Sequence, residues 1–168
     1  MADEVDRILA AWRAEAPDLD TEPLEILSRV TRLARHLDRA RRDTFARHGL
    51  DVWEFDVLTA LRREGPPYEL SPGRLIHRTL STSGTMTNRI DRLEERGLVE
   101  RGRDPDDRRG VRVRLTAAGR ERAERALADL LGYEREVLAG LDGAERRRLT
   151  ASLRRLLSRF EEAPGKNP

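Results

Sequence analysis

The sequence predicts a mainly α fold with a small β-wing, an α+β chain, and three observations carry that reading. Apolar residues recur at spacings of 3 and 4 through nearly the whole length, the mark of one-sided helices. Proline and glycine breakers at Pro17, Gly49, Gly65-Pro66-Pro67 and Gly97 cut those stretches to helical lengths. Only around residues 98–115 does the period become two, where Val111, Val113 and Leu115 alternate with Arg112 and Arg114.

Each element follows in order. Val5, Ile8, Leu9 and Trp12 stand at i, i+3, i+4 and i+7, so a first helix covers about residues 3 to 16 and ends before Pro17. Leu27, Val30, Ala34 and Leu37 continue a helical period from Pro23 to His48, with Gly49 as the C-terminal cap. Asp51 caps a third helix carrying Phe55, Leu58 and Leu61. Ser71-Pro72 is an N-cap followed by proline at the first helical position, opening a short helix to about His77. The hydroxyl-rich run from Ser81 leads into Met86, Ile90 and Leu93, a helix of about 82 to 96 with a polar N-terminal face, closed by Gly97. Leu98–Glu100 and Val111–Leu115 form two strands around the charged loop 103–110. Thr116 caps a helix of about 117 to 139, and Asp142 with Glu145 is a capping-box pattern for a last helix carrying Leu149, Leu153, Leu156 and Phe160. Two helices, then strand, basic loop and strand, describe a winged helix-turn-helix. Three regions are expected: residues 1–50, 51–116 and 117–168.

Composition narrows the function classes. The chain of 168 residues holds 33 Lys+Arg against 31 Asp+Glu and no cysteine, which removes disulfides, thiolate catalysis and cysteine-built metal sites. The pI of 9.6 exaggerates a net charge of only +2, because all but one of the basic residues are arginine, which does not titrate usefully. Position matters more than the sum: residues 74–114 carry 11 Arg and 7 acidic groups, about +4, leaving about −2 elsewhere. The acidic start Met1–Asp6 leads into no long apolar run, so a cytoplasmic chain without signal peptide or membrane span is expected. His36, His48 and His77 lack ligand spacing, and no metal or cofactor is expected. Without a Gly-rich phosphate loop or nucleophile elbow, an enzyme using Asp56 with a histidine is the weakest reading.

Duplex recognition needs an exposed helix start bearing short hydrogen-bonding side chains for base edges, flanked by arginines for phosphates. Ser83, Thr85, Thr87 and Asn88 provide the first, and Arg92 and Arg103 the second. Arg108 and Arg109 at the tip of the loop suit a minor groove, with Asp107 placed to orient a guanidinium. Taken singly, a Ser/Thr-rich helix start is also ordinary capping, and a charged hairpin an ordinary solvated turn; their joint order favours the DNA reading.

In Met86–Leu93, Gly97–Arg101, Asp104–Gly110 and Leu115-Thr116 with Gly119, the chain resembles the MarR family of winged helix-turn-helix transcriptional regulators over nearly its whole length. The resemblance implies a homodimer, formed by the N- and C-terminal helices, that places two recognition helices in major grooves and two wings in minor grooves of a pseudo-palindromic operator. The apolar stripes of the terminal helices agree, since one small winged domain cannot cover them. A tryptophan-bearing extra first helix resembles the urate-responsive branch. That implies a small anionic effector, urate-like or a carboxylate, held by Trp12, Asp56, Arg89 and Arg101, with DNA released on binding. Two readings of these residues stand on physical grounds: Trp12 completes a packing stripe, and Asp56, facing an apolar side, can equally be one half of a structural ion pair with Arg89 or another arginine. A non-specific architectural DNA-binding protein without a ligand is the alternative function.

Overall fold

The computed structural model describes residues 2–79, 82–104 and 110–161, in seven helices and three strands. In chain order these are α1 (Glu4–Glu15), α2 (Glu22–Arg47), α3 (Val52–Arg63), β1 (Glu69–Leu70), α4 (Pro72–Thr79), α5 (Ser83–Glu95), β2 (Val99–Arg103), β3 (Val111–Leu115), α6 (Ala117–Val137) and α7 (Gly143–Glu161). Two compact units, 1–127 and 128–168, meet within α6.

In the first unit α1 lies antiparallel on α2. Asp3 closes a reciprocal capping box with Asp6, Val5 and Leu9 are buried, and the charged flanks pair along the helices: Asp3 and Asp6 with Arg29, Glu4 with Arg32, and Arg13 with Glu25. Hydrogen bonding from Arg29, aided by the Asp6 amide, holds the Asp3 carboxyl down at about 2. Phe45 near the end of α2 stacks on Phe55 of α3 with ring centroids 3.9 Å apart. Both α2 and α5 end on a glycine with positive φ, Gly49 at 63° and Gly97 at 67°. The following amides, of Leu50 and Leu98, reach back to the carbonyls of Phe45 and Leu93, a helix stop that a side chain with a Cβ disfavours.

The core gathers Val57, Leu58 and Leu61 of α3 with Leu70, Leu75, Met86, Ile90, Leu93, Leu98 and Val113. The sheet order is β1-β3-β2, antiparallel throughout, with Leu70 opposite Val113 and Val99 opposite Leu115. It therefore holds one strand more than the two-stranded hairpin expected from sequence. After the stop at Gly65, Tyr68 turns the chain at φ 61° and Glu69–Leu70 adds to the edge of β3. A two-residue strand is too short to show a period, which is why alternation could not reveal it. The first strand also runs further than Leu98–Glu100, through Arg103, so that Arg101 lies inside β2.

In α6 Ala123, Ala126 and Leu130 are buried, whereas α7 buries none of its residues. Its start is satisfied locally: Asp142 accepts from the amides of Ala144 and Glu145, and the Glu145 carboxylate accepts from the Asp142 amide. Of the α2 stripe anticipated from sequence Leu27, Val30 and Ala34 are exposed and Leu37 is half-buried, with Ile26 and Leu33 also exposed; the α7 stripe Leu149, Leu153, Leu156 and Phe160 is uncovered. No helix among the described residues is long and apolar enough to cross a membrane.

Candidate nucleic-acid interface and effector residues

Helices α4 and α5 form the helix-turn-helix. Ser71 accepts from the amide of Arg74, as expected of an N-cap, and Glu64 at the end of α3 receives Arg74 and Arg78 at 2.9 and 3.0 Å, tying α4 to α3. Helix α5 is anchored by buried Met86, Ile90 and Leu93, which turns Ser83, Thr85, Thr87 and Asn88 outward, all exposed. The N-cap, Thr82, makes no side-chain bond to the helix backbone; its hydroxyl donates to the Thr85 hydroxyl at 2.8 Å. The polar helix start is therefore not spent on capping at Thr82, and its donors and acceptors face outward.

The arginines divide into distinct settings. Arg92 is exposed and lies over the Trp53 ring, 5.1 Å from its centroid, with Asp51 at 3.9 Å. Arg103 is exposed on β2. The base of the hairpin is closed by the Asp104 amide donating to the Gly110 carbonyl and by Arg112 pairing with Asp104 at 2.7 Å. Arg108, Arg109 and Asp107 lie outside the described residues.

The four candidate effector residues lie on four elements: Trp12 on α1, Asp56 on α3, Arg89 on α5 and Arg101 on β2. Asp56 and Arg89 are brought together electrostatically. Burial pushes the Asp56 carboxyl above its ordinary value, and Arg41, Arg63 and Arg89 pull the other way without overcoming it. Asp56 forms an ion pair with Arg41 at 3.4 Å, one of the other arginines left open as its partner. Arg89 instead lies over Trp53, 5.3 Å from the ring centroid. Arg101 pairs with Asp91 and Glu94 of α5, locking β2 to the helix. Trp12 is 46% exposed and so is not the core residue that its stripe position allowed. A cleft of about 470 Å³ beside the end of α2 and the start of α6 is lined by Arg47, His48, Glu121, Arg122 and Arg125 and includes none of the four. Among the described residues no group of three or more His, Asp or Glu could hold a metal ion.

Two contributors were missed by sequence reasoning. Trp53 receives both Arg89 and Arg92, yet reads in sequence as one more apolar residue of α3. Glu54 is 1% exposed; both its carboxylate oxygens accept from Arg96 at 2.5 Å, while Arg96 also donates to the Gly49 carbonyl at 2.6 Å. One ion pair thus joins the end of α2, the start of α3 and the end of α5. The sequence signal was there: Asp51 and Glu54 have capping-box spacing, and the Asp51 amide does donate to Glu54 at 2.9 Å.

Comparison with known proteins agrees with this geometry. The profile described as MarR family matches residues 48–110. The chain is 36% identical over 153 residues to the HTH-type transcriptional regulator PecS of Dickeya dadantii, covering 91% of this chain and 92% of that protein. It is 28% identical over 149 residues to the HTH-type transcriptional repressor NicR of Pseudomonas putida, covering 86% and 92%. A mutant MarR from E. coli in complex with operator DNA superposes with a TM-score of 0.65 at 26% identity, covering 82% of this chain and 96% of that one.

Proposed function

The chain belongs to the MarR family of winged helix-turn-helix, DNA-binding transcriptional regulators, and we propose that it works as a homodimeric repressor of a pseudo-palindromic operator, released by a small anionic ligand. The observation that carries this reading is the outward polar face of α5, Ser83, Thr85, Thr87 and Asn88, on a helix locked to the winged domain by Arg101 and Arg96. Short donors and acceptors on a rigid helix suit base edges. Arg92 and Arg103 supply phosphate contacts, and Arg108 and Arg109 the wing's groove contact.

The dimer is supported by the uncovered stripes of α2 and α7. Phe160 is 80% exposed and Ile26 57%, and apolar surface of that extent on a soluble chain calls for a partner. A second copy supplies the same stripes, as a two-fold interface requires. Residues 1–50 and 117–168 then serve dimerisation, and 51–116 the DNA. Repression is the direction of control named for NicR.

The test is a footprint on DNA flanking the chain's own gene, where protected half-sites about one helical turn apart are expected for a symmetric dimer. Arg108→Ala with Arg109→Ala is expected to weaken operator binding on the order of tenfold or more and to lower the salt slope by about two. Operator affinity unchanged by that double replacement sinks the wing assignment. Equal binding to operator and bulk DNA means the architectural alternative is right.

For the effector, Trp12, Asp56, Arg89 and Arg101 are proposed to hold a planar anion. An anion that recruits Arg89 or Arg101 competes with Trp53, Asp91 and Glu94, so binding is linked to the placement of α5. Asp56 gives this a pH signature. Its carboxyl is raised by burial in the folded chain, so its contribution to stability is present below the ordinary value of 3.8 and is lost as pH rises through the raised folded value. A bound anion raises that value further and takes up a proton. Affinity for an anion that keeps its charge is therefore expected to increase as pH falls toward the raised Asp56 value, and Asp56→Asn to flatten the dependence. Calorimetry on both proteins decides it. A thermal shift by urate, xanthine and small carboxylates that is absent throughout, or unaltered in Trp12→Ala, removes the urate-like site.

A further inference from the structure

We propose that Trp53 is a positioning residue for DNA binding, an aromatic rack that holds Arg89 and Arg92 of α5 in place. The proposal rests on the DNA-binding reading above and adds to it a residue outside both the base-contact and the wing sets.

Trp53 occupies the first turn of α3, next to Glu54 and Phe55, which are buried. Its ring is therefore carried on the rigid part of the domain. The indole N–H donates to the Asp51 carboxylate at 3.1 Å, which fixes the ring's orientation. Arg89 and Arg92 are three residues apart and so share one face of α5. Their guanidinium carbons lie 5.3 and 5.1 Å from the same ring centroid. Asp51, 3.9 Å from Arg92, completes the arrangement.

An exposed arginine explores many rotamers, and ordering it on a phosphate costs entropy. Arg92, with a side chain 61% exposed, would bear that cost in full if its guanidinium were unsupported. A guanidinium lying on an aromatic face keeps its in-plane N–H donors free for an anion. Trp53 therefore supports both arginines through its ring face rather than through their N–H donors. The same ring links the two functions, because Arg89 both lies over Trp53 and acts electrostatically on Asp56.

The experiment measures operator affinity of the full-length protein in a double-mutant cycle, with folding checked by circular dichroism. Trp53→Leu is expected to weaken binding roughly 3- to 30-fold, and Trp53→Phe, which keeps an aromatic face, to recover most of it. In an Arg89→Gln/Arg92→Gln background, Trp53→Leu is expected to cost less than about twofold, since a positioning residue has nothing left to position. Wild-type affinity in Trp53→Leu overturns the proposal. So does a loss that persists undiminished in the arginine-free background, which would mark a merely structural role. If the parent chain itself binds no duplex, the DNA reading has failed, and the rack is decided by fluorescence. Trp12→Phe leaves Trp53 as the sole tryptophan. Its emission is expected to shift on Arg89→Gln/Arg92→Gln, and unchanged emission overturns the rack.

Discussion

Gly119→Ala is expected to lower the melting temperature by roughly 5 to 15 °C, the consequence of a stability loss of about 2 to 4 kcal/mol. A Cβ on Gly119 would sit 2.0 Å from the Leu98 carbonyl oxygen, 2.9 Å from its carbon and 3.0 Å from Leu115 Cδ1. The first two are backbone, so no rotamer change relieves the clash. The Leu98 carbonyl is also fixed in place, because it accepts from the Thr116 amide at 3.2 Å and from the Thr116 hydroxyl at 3.1 Å. That hydroxyl in turn accepts from the Gly119 amide at 3.0 Å as the cap of α6. Relief requires α6 to move off the Leu98 backbone just ahead of β2, breaking the cap where the winged domain leads into α6. Gly132→Ala is the control: it lies in the same helix with nothing within 4 Å of the added carbon. There the exchange should be neutral or stabilise by about 0.5 to 1 kcal/mol, through helix propensity alone. Equal melting temperatures for Gly119→Ala and the parent chain would mean that the approach of α6 to Leu98 is looser than described.

This close approach also shows what sequence can convey. Helix positions, caps and the alternating strand are local features, and local rules found them: Asp51, Ser71, Thr116 and Asp142 all lie at helix starts, and Gly49 and Gly97 at helix stops. The motif Leu115-Thr116 with Gly119 was recognisable as a pattern, but the reason for its glycine is the carbonyl of Leu98, just ahead of β2, a contact distant in sequence. Strand β1 escaped because two residues have no period and their pairing with Val113 and Arg114 is long-range. The same division runs through the site. The exposed hydroxyl face of α5 was legible because helical spacing alone turns it away from Met86, Ile90 and Leu93. The partner of Asp56 was not, because Arg41, Arg63 and Arg89 come from three elements and only packing selects Arg41. With 32 arginines in the chain, the pairing of any one carboxylate is beyond sequence pattern.

Arg96→Ala is expected to cost about 3 kcal/mol, near the lower end for breaking a buried ion pair, because Arg96 is itself 35% exposed and water can partly replace it. The partner sets the size of the effect. Glu54 is 1% exposed, and without Arg96 its carboxylate keeps, among the described residues, only the Asp51 amide as a donor. A buried charge left in that state is far more costly than the pair was favourable. Removing the other member should therefore be milder. Glu54→Gln still accepts at the start of α3, leaves Arg96 able to reach water, and is expected to cost about 1 kcal/mol. Arg125→Ala, which breaks a pair whose side chains are 65% and 64% exposed, should change stability by no more than about 0.5 kcal/mol. Thermal or urea denaturation orders the three variants, and Arg96→Ala melting with Arg125→Ala would refute the central place given to Glu54. Arg96 also donates to the carbonyl of Gly49 at the end of α2, so its loss frees the end of α5 from both neighbours at once. Operator affinity should accordingly fall in Arg96→Ala even at temperatures where the protein remains folded, although Arg96 lies at the end of α5 furthest from the polar face proposed to read the DNA.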